Sequence, residues 1–186
     1  MASDVSIVNR ALARLGASRI SVLTEKTENA RLAKALYGEI REEALSMHPW
    51  NFALKNARLA QLDSSPNPKW TYGYQLPSDC LRVVCAEDNE TFEVQGRTLL
   101  TDASSINVTY IYRNTDETQY SPGFSRFFAM MLAHAMCYGI TNSRTLQADI
   151  YVEMHDALAD ATSSDGQEGE PVVPEEGDWL DVRSDY

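Results

Sequence analysis

The stretch ALSMHPWNFALKN, residues 44–56, marks the point at which the sequence changes its period. Before it, Leu32, Leu36 and Ile40 recur at the spacing of an amphipathic helix. Pro49 cannot continue that helix, because its ring removes a backbone donor and clashes with the preceding turn. Short runs rich in aromatic and β-branched residues follow, and such runs favour strands. The sequence therefore predicts a long helix that ends at a corner and leads into a sheet.

Working outward from this corner, apolar residues at helical spacing predict four helices. A short first helix is predicted over about residues 4–15, and the long second helix begins at Thr24 or Thr27. After the strands, residues 122–140 form a third pattern that is apolar nearly all round, so this helix should be the most buried. A fourth helix is predicted over about residues 143–162.

Turn-forming residues separate the runs between the second and third helices. In the last run, Ile106, Val108 and Tyr110 alternate with more polar residues, the pattern of a half-buried strand. About five antiparallel strands are expected, in a sheet with one buried and one exposed face. The runs that predict them are residues 51–62, 70–76, 81–86, 91–94, 98–101 and 106–113.

The predicted fold class is α+β, with three segments. Residues 1–50 and 114–162 form an antiparallel bundle of about four helices, residues 51–113 form a β-strand insertion, and residues 163–186 form an extended C-terminal arm. The arm holds eight acidic residues against one basic residue, a composition that cannot fold alone. Its apolar groups indicate a strap that orders against another surface. The arm residues expected to bind a partner are Val172, Val173, Trp179, Leu180, Arg183 and Tyr186.

The charge of the chain excludes some functions. Sixteen Lys and Arg residues against 27 Asp and Glu residues give a formal net charge of -11, which opposes tight phosphate binding and disfavours sequence-specific DNA recognition. No apolar run approaches the roughly 18 residues that span a bilayer. The N-terminus has neither a basic region nor an apolar region. We expect no membrane span, no signal peptide and synthesis in the host cytoplasm.

Motifs that carry chemistry are weak in this sequence. It has no nucleophile elbow, no phosphate-binding glycine loop and no zincin motif. His134 and Cys137 are three residues apart and could supply two metal ligands, although a buried polar pair is the simpler interpretation. We expect no catalytic residue, no metal, no cofactor and no enzymatic activity. The three cysteines, all expected to be reduced, are Cys80, Cys85 and Cys137.

Several blocks of sequence follow one another in a recognisable order. They are IVNRALARLG at residues 7–16, ARL at 30–32, REEAL at 41–45, HPWNFA at 48–53, WTYGYQLPSDCLRV at 70–83 and DGQEG at 165–169, followed by Trp179 and Arg183. In this order they resemble the head-to-tail adaptor proteins of tailed bacteriophages, the tail tubular protein A family. The resemblance covers nearly the whole chain and rests on the shared order of the blocks.

This resemblance implies a structural virion protein of the tail or neck. Members of the family assemble as a ring, commonly of twelve copies, between the portal protein and the tail nozzle or tail tube. DNA passes through the ring without specific binding, and an acidic channel would repel its phosphates. The expected partners are therefore further copies of the chain, the portal protein and the nozzle or tube protein.

Two further groups of residues are assigned roles only loosely. His48, Pro49, Trp50 and Phe52 are expected to form the corner where the helical bundle meets the sheet, with the two aromatic rings filling the junction. On the fourth helix, one edge is acidic throughout, and it is expected either to line the channel or to be a solvated outer face. The residues of this edge are Asp149, Glu153, Asp156 and Asp160.

Two alternatives remain at this stage. A small phage-encoded glycan hydrolase needs only two suitably placed carboxylates, and an acidic chain offers many pairs. A stopper or tail-completion connector of a long-tailed phage would share a similar helical core. The sequence alone does not separate a short tail from a long one.

Overall fold

A computed structural model describes residues 2–63, 65, 67–87 and 90–168. These residues form an α+β fold with four helices and seven strands in two antiparallel sheets, which confirms the predicted class. In chain order the elements are α1 (Asp4–Arg14), α2 (Glu28–Met47), β1 (Leu54–Arg58), β2 (Ala60–Gln61), β3 (Tyr72–Gln75), β4 (Cys80–Ala86), β5 (Phe92–Gln95), β6 (Thr98–Thr101), β7 (Asn107–Tyr112), α3 (Pro122–Thr141) and α4 (Arg144–Gln167).

Each helix begins at a hydroxyl residue. The side chain of that residue accepts a hydrogen bond from the backbone N–H three residues later, which satisfies a donor that the helix itself leaves unpaired. At α2 this residue is Thr27, which decides between the two starts that the sequence allowed. The other three N-caps are Ser3, Ser121 and Ser143.

Helix α3 lies at the centre of the helical layer and packs against α1, α2 and α4. Ten of its 20 residues are buried, the largest number in any of the four helices, as its apolar sequence predicts. The start of α3 meets the end of α4: a Cβ placed on Gly123 would lie 3.1 Å from the Cα of Ala161. Near the other end of α3, Gln147 of α4 donates to the backbone carbonyl of His134. The two helices are therefore antiparallel.

The strands form two sheets rather than the single sheet predicted. Sheet A has the order β1-β7-β4, and sheet B has the order β2-β3-β6-β5. Apolar side chains from both sheets share one cluster, which we call the β core: Tyr74 and Leu99 come from sheet B, and Val108 and Tyr110 from sheet A. The prediction failed because a period of two residues reveals which side chains share a face but not which strands pair.

Sheet A is buried on both faces at one end, so the expectation of an exposed face is wrong there. Val108 and Tyr110 point into the β core, whereas Ile111, between the helices and the sheet, is fully buried in a second cluster. That cluster, the helical core, also contains Leu12, Trp50 and Leu132. The described residues therefore stack as helices, sheet A and sheet B.

Two element boundaries differ from the predictions. Residues Asn51–Ala53 form a turn of 3₁₀-helix before β1 rather than the start of a strand. Helix α4 continues to Gln167, five residues beyond its predicted end at 162, so the first residues of the predicted arm are helical. The arm residues Val172, Val173, Trp179, Leu180, Arg183 and Tyr186 lie outside the described residues.

Candidate functional site

The corner predicted at the end of α2 is a cluster of aromatic rings centred on Trp50. This side chain is fully buried, and its indole N–H donates to the carbonyl of Ala44 at 3.0 Å. The ring centroid lies 5.0 Å from that of Phe124 and 4.8 Å from that of His48, both in edge-to-face arrangements. Edge-to-face pairs add about 0.5–1.5 kcal/mol each beyond the burial of their area.

Phe52 extends the cluster toward the point where the chain returns from the sheets. Its ring packs on Phe124 at 5.0 Å and on Tyr120 at 5.4 Å. The backbone carbonyl of Phe52 accepts a hydrogen bond from the amide of Asn114, which is itself almost fully buried. Burial raises the pKa of the Tyr120 phenol, whose hydroxyl donates to the carbonyl of Asn114. The outgoing and returning segments are thus fastened to each other.

The last turn of α4 closes the same corner through a buried carboxylate. Asp165 is only 4% exposed, and its side chain accepts from the backbone N–H of Asn51 at 3.2 Å. The Nε2 atom of His48 lies 3.3 Å from the same carboxylate. In return, the amide of Asn51 donates to the backbone carbonyl of Asp165 at 2.7 Å. These contacts attach the end of α4 to the end of α2.

His48, Trp50 and Phe52 are therefore brought together in space, with Pro49 between them. Sequence reasoning missed Tyr120, Phe124 and Asp165. The only sequence feature that points to Phe124 is the apolar character of α3. No local feature points to Asp165, because its partner Asn51 is 114 residues away. The aromatic corner is a packed joint, and one of its rings, Tyr120, also borders one of the cavities described below.

The acidic edge of α4 is less uniform than its sequence predicts. Glu153 forms a two-pronged ion pair with Arg14 of α1, with distances of 2.7 and 2.5 Å, and this hydrogen bonding lowers the pKa of Glu153. Asp160 pairs with Arg126 of α3 at 3.1 Å. Asp149 and Asp156 are exposed and have no salt-bridge partner within the described residues. Two of the four carboxylates thus have an arginine partner within the same chain.

His134 and Cys137 do not form a joint site. Cys137 is fully buried, and its sulfur lies 3.5 Å from the hydroxyl of Thr141. The His134 ring instead packs beside Tyr151 of α4, with 5.7 Å between centroids. Among the described residues, no group of three or more His, Cys, Asp or Glu side chains is arranged to hold a metal ion. The cysteines Cys80, Cys85 and Cys137 are free thiols.

The surface cavities lie mainly around the sheets. The largest of four that are lined by described residues has a volume of about 600 Å³ and is bordered by Arg58 and Arg97. Arg97 already donates to the backbone carbonyls of Pro77 and Cys80. One of the four cavities includes a carboxylate, Glu87, and none of them includes two.

Polar clusters on the sheets hold local structure together. Asp79 accepts from Lys55 at 2.9 Å and from Tyr110 at 3.3 Å, and the lysine contact lowers the pKa of Asp79. Burial raises the pKa of Tyr110 to about 12. On sheet B, hydrogen bonds from Gln95, Trp70 and Lys69 lower the pKa of Glu93 to about 2. Each cluster joins a loop to a strand or one strand to another.

Comparison with known proteins adds no further assignment. Among the helices of the described residues, none combines the length and apolar character needed to cross a lipid bilayer. No protein-family model matches the chain, and no curated protein matches it either.

Proposed function

We propose that this chain is a structural head-to-tail adaptor of a tailed-bacteriophage virion. In this proposal a bundle of helices and a two-sheet unit form one subunit of a ring, commonly of twelve copies. The ring joins the portal protein to the tail nozzle or tail tube and lets DNA pass. The ordered blocks of sequence that resemble the tail tubular protein A family are the basis for naming this class.

The structural observation that carries the proposal is the packed aromatic joint at Trp50. An adaptor in a stack must contact one neighbour through one end and another neighbour through the other end. The rings of Trp50 and Phe124, 5.0 Å apart, and the carboxylate of Asp165 fasten the helical core at the point where the chain enters the sheets. Ile111 of β7 is buried in that same core, whereas its neighbours Val108 and Tyr110 lie in the β core, so load can pass from one core to the other. Close-packed interiors transmit strain rather than absorb it.

The charge distribution supports passage of DNA. Twelve copies at -11 each carry about -132 charges, and a channel lined by one sign of charge repels a polymer of the same sign. On α4, Asp149 and Asp156 are the better candidates for a channel surface, because Glu153 and Asp160 pair with arginines. The acidic arm, residues 169–186, is proposed to reach the portal or a neighbouring subunit through Trp179 and Leu180, since buried aromatics dominate interfaces.

Assembly on the portal tests this function. The purified chain, of 20.8 kDa, is mixed with the portal protein encoded with it, and the mass of the product is measured by native mass spectrometry. We expect the free chain to be a monomer and the complex to contain a closed ring; twelve copies would add about 250 kDa to the portal. A chain that stays monomeric beside an intact portal would refute the proposal.

Matched variants locate the contact. Replacing Trp179 and Leu180 with alanine should prevent ring assembly on the portal and leave the circular dichroism of the free chain unchanged. The control replaces Val84 and Val94, two exposed valines of the sheets, with alanine and should assemble normally. Equal assembly by both variants would remove the arm from the proposed interface.

A further inference from the structure

The helices expose an apolar face that no described part of the chain covers. It is formed by Leu32 and Leu36 of α2, Ala135, Tyr138 and Gly139 of α3, and Tyr151 of α4, and we call it the helical face. Tyr138 is 48% exposed and Tyr151 is 49% exposed. Grouped exposed aromatics of this kind mark interaction sites more often than inert surface.

Contacts across the three helices show that these residues adjoin one another. A Cβ on Gly139 would lie 3.5 Å from Cδ2 of Leu32, which places α2 against α3. On the other side of α3, the ring of His134, next to Ala135 in the chain, packs beside Tyr151 of α4. The face therefore runs from α2 across α3 to α4.

The chain leaves the described structure at the opposite end of the helices from this face. Helix α4 ends at Gln167, and Asp165 is held by Asn51 and His48, directly after α2. Both α2 and α4 run antiparallel to α3, since Trp50 meets Phe124 at one end and Leu32 meets Gly139 at the other. The C-terminal segment thus starts beside the end of α2, and the far end of the face lies near Leu32.

The length of the remaining segment matches this distance. Eighteen residues, 169–186, follow Glu168. Extended chain spans at most about 3.3–3.6 Å per residue, so Trp179, the eleventh residue after Glu168, can reach about 36 Å. Helix α2 has 20 residues and is about 30 Å long. Leu36, the face residue nearest the end of α2, lies 11 residues or about 17 Å back along that helix, beyond the reach of Val172, whereas Trp179 and Leu180 can reach the face.

The C-terminal segment and the helical face are also chemically complementary. The segment alternates apolar pairs with carboxylates, and its second apolar pair is flanked by Asp178 and Asp181. At the far end of the face, the guanidinium of Arg144 lies over the ring of Tyr138, 5.7 Å from its centroid. An aromatic ring with an adjacent arginine suits an apolar anchor that carries negative charge beside it.

We propose that residues 171–182 dock onto the helical face of their own subunit. Trp179 and Leu180 pack against Tyr138 and Tyr151, and Val172 and Val173 belong to the stretch of chain that leads to the face. In the isolated chain this contact shields an apolar surface, and a partner that binds the arm must first displace it. The inference concerns the free chain and stands whether or not the adaptor proposal is correct.

Site-specific photo-crosslinking tests this contact in the full chain. The photoreactive residue p-benzoylphenylalanine replaces the exposed Tyr138, the dilute protein is irradiated, and crosslinked peptides are identified by mass spectrometry. We expect an adduct with residues 171–182 at the mass of a monomer. The matched control carries the same photoreactive residue at Ala60, an exposed position of β2 in sheet B, and should give no such adduct.

A charge variant provides the second arm of the test. Ala135→Arg places a long charged side chain on the exposed face without entering the core and should lower the adduct yield by about tenfold. Ala60→Arg, at an exposed alanine of sheet B, should leave the yield unchanged. An adduct at dimer mass would assign the face to a second copy, and the absence of any arm adduct would exclude docking; either outcome overturns the proposal.

Discussion

Trp50 fills the space between the end of α2 and the start of α3. Its ring contacts rings from both sides of the corner, and its indole N–H is satisfied by Ala44. A residue in this position combines burial, ring packing and a hydrogen bond, so that its removal leaves a cavity and an unpaired carbonyl together. Its neighbour Phe52 also accepts a hydrogen bond from Asn114, just after β7, and so fixes the chain where it returns from the sheets.

We expect Trp50→Ala to lower the free energy of unfolding by about 3–5 kcal/mol, the usual cost of removing a buried aromatic side chain. Urea unfolding followed by circular dichroism measures the change. Trp70→Ala is the matched control: Trp70 is only half-buried, at the edge of sheet B, and its loss should cost clearly less. Equal losses of unfolding free energy would show that Trp50 contributes no more to stability than Trp70.

The local sequence points to a structural role for Trp50 but not for Asp165. An aromatic residue directly after a helix-ending proline predicts a filled corner; in the structure Trp50 is fully buried there, and its ring lies 6.3 Å from that of Phe52. Asp165 sits in a run of polar residues, among Ser163, Ser164 and Gly166, which looks solvated in sequence. Its burial depends on Asn51 and His48, and a local pattern contains no information on so distant a partner.

At the scale of elements, α1 and α4 are joined by the pair between Arg14 and Glu153. The pair lowers the pKa of Glu153 below its ordinary value of 4.5, because the carboxylate accepts hydrogen bonds from the guanidinium. A carboxylate with a lowered pKa stabilises the fold above about pH 4.5, and its contribution is lost as the pH falls through the lower, folded value. The side chains are 32% and 45% exposed, so solvent weakens the pair.

Glu153→Gln should therefore lower the free energy of unfolding by at most about 1 kcal/mol at pH 6, with a smaller difference from the parent at pH 3. Urea unfolding at the two pH values measures both differences. Glu39→Gln, at an exposed position of α2, should have little effect at either pH. A Glu153→Gln deficit that grows on acidification would contradict the assigned sign.

The hairpin of β5 and β6 depends on one glycine. Gln95 pairs with Thr98, which leaves Gly96 and Arg97 as a two-residue loop, and Gly96 has φ of +60°. Positive φ at the first loop position alone is the pattern of a type II′ turn, which requires glycine there. We expect Gly96→Ala to cost about 1–2 kcal/mol in unfolding free energy, because the left-handed conformation strains a Cβ.

Gly38→Ala is the control for this substitution. Gly38 lies inside α2, and an added Cβ would meet no atom within 4 Å. Alanine favours a helix interior over glycine, so this variant should gain about 0.5–1 kcal/mol. Thermal unfolding of both variants separates an effect of turn geometry from a general effect of adding a methyl group, which would shift both in the same direction.

The sequence predicts which segments are helices and which are strands, but it does not predict which strands pair with one another. The change of period at Pro49 and the hydroxyl N-caps locate helices with local information. The division of the strands into two sheets depends on pairings such as Leu54 with Ile111, which are far apart in sequence. Ile111 lies on the face of β7 opposite Val108 and Tyr110, and the alternation of the strand contains no sign that helices cover that face.

At the scale of the whole molecule, the end of α4 fixes where the chain can be shortened. A chain that ends at Glu168 keeps Asp165 and its contacts with Asn51, whereas a chain that ends at Ser163 loses them. The second truncation should lower the free energy of unfolding by about 1–3 kcal/mol relative to the first, because it leaves buried polar groups unpaired.

Differential scanning calorimetry of the two truncated chains measures this difference. For a chain of this size, each kcal/mol corresponds to a shift of about 2–4 °C in Tm. The full-length variant Asp165→Ala should reproduce most of the loss, and Asp156→Ala, at an exposed position of the same helix, should not. Identical Tm values for the two truncations would show that Asp165 contributes nothing to the fold.

The adjacency of the outgoing and returning segments also constrains how the chain folds. The helices that precede the strands in sequence pack against those that follow them, across an insertion of about 60 residues. Closing so long a flexible loop costs about 3–4 kcal/mol of chain entropy. Leu54 pairs with Ile111, and Asn114 binds the carbonyl of Phe52, so a sheet unit that forms first brings the two ends together. Once the sheets have formed, the segments before and after them are already close together. The contacts between the helices of these two segments then form without closing a long flexible loop.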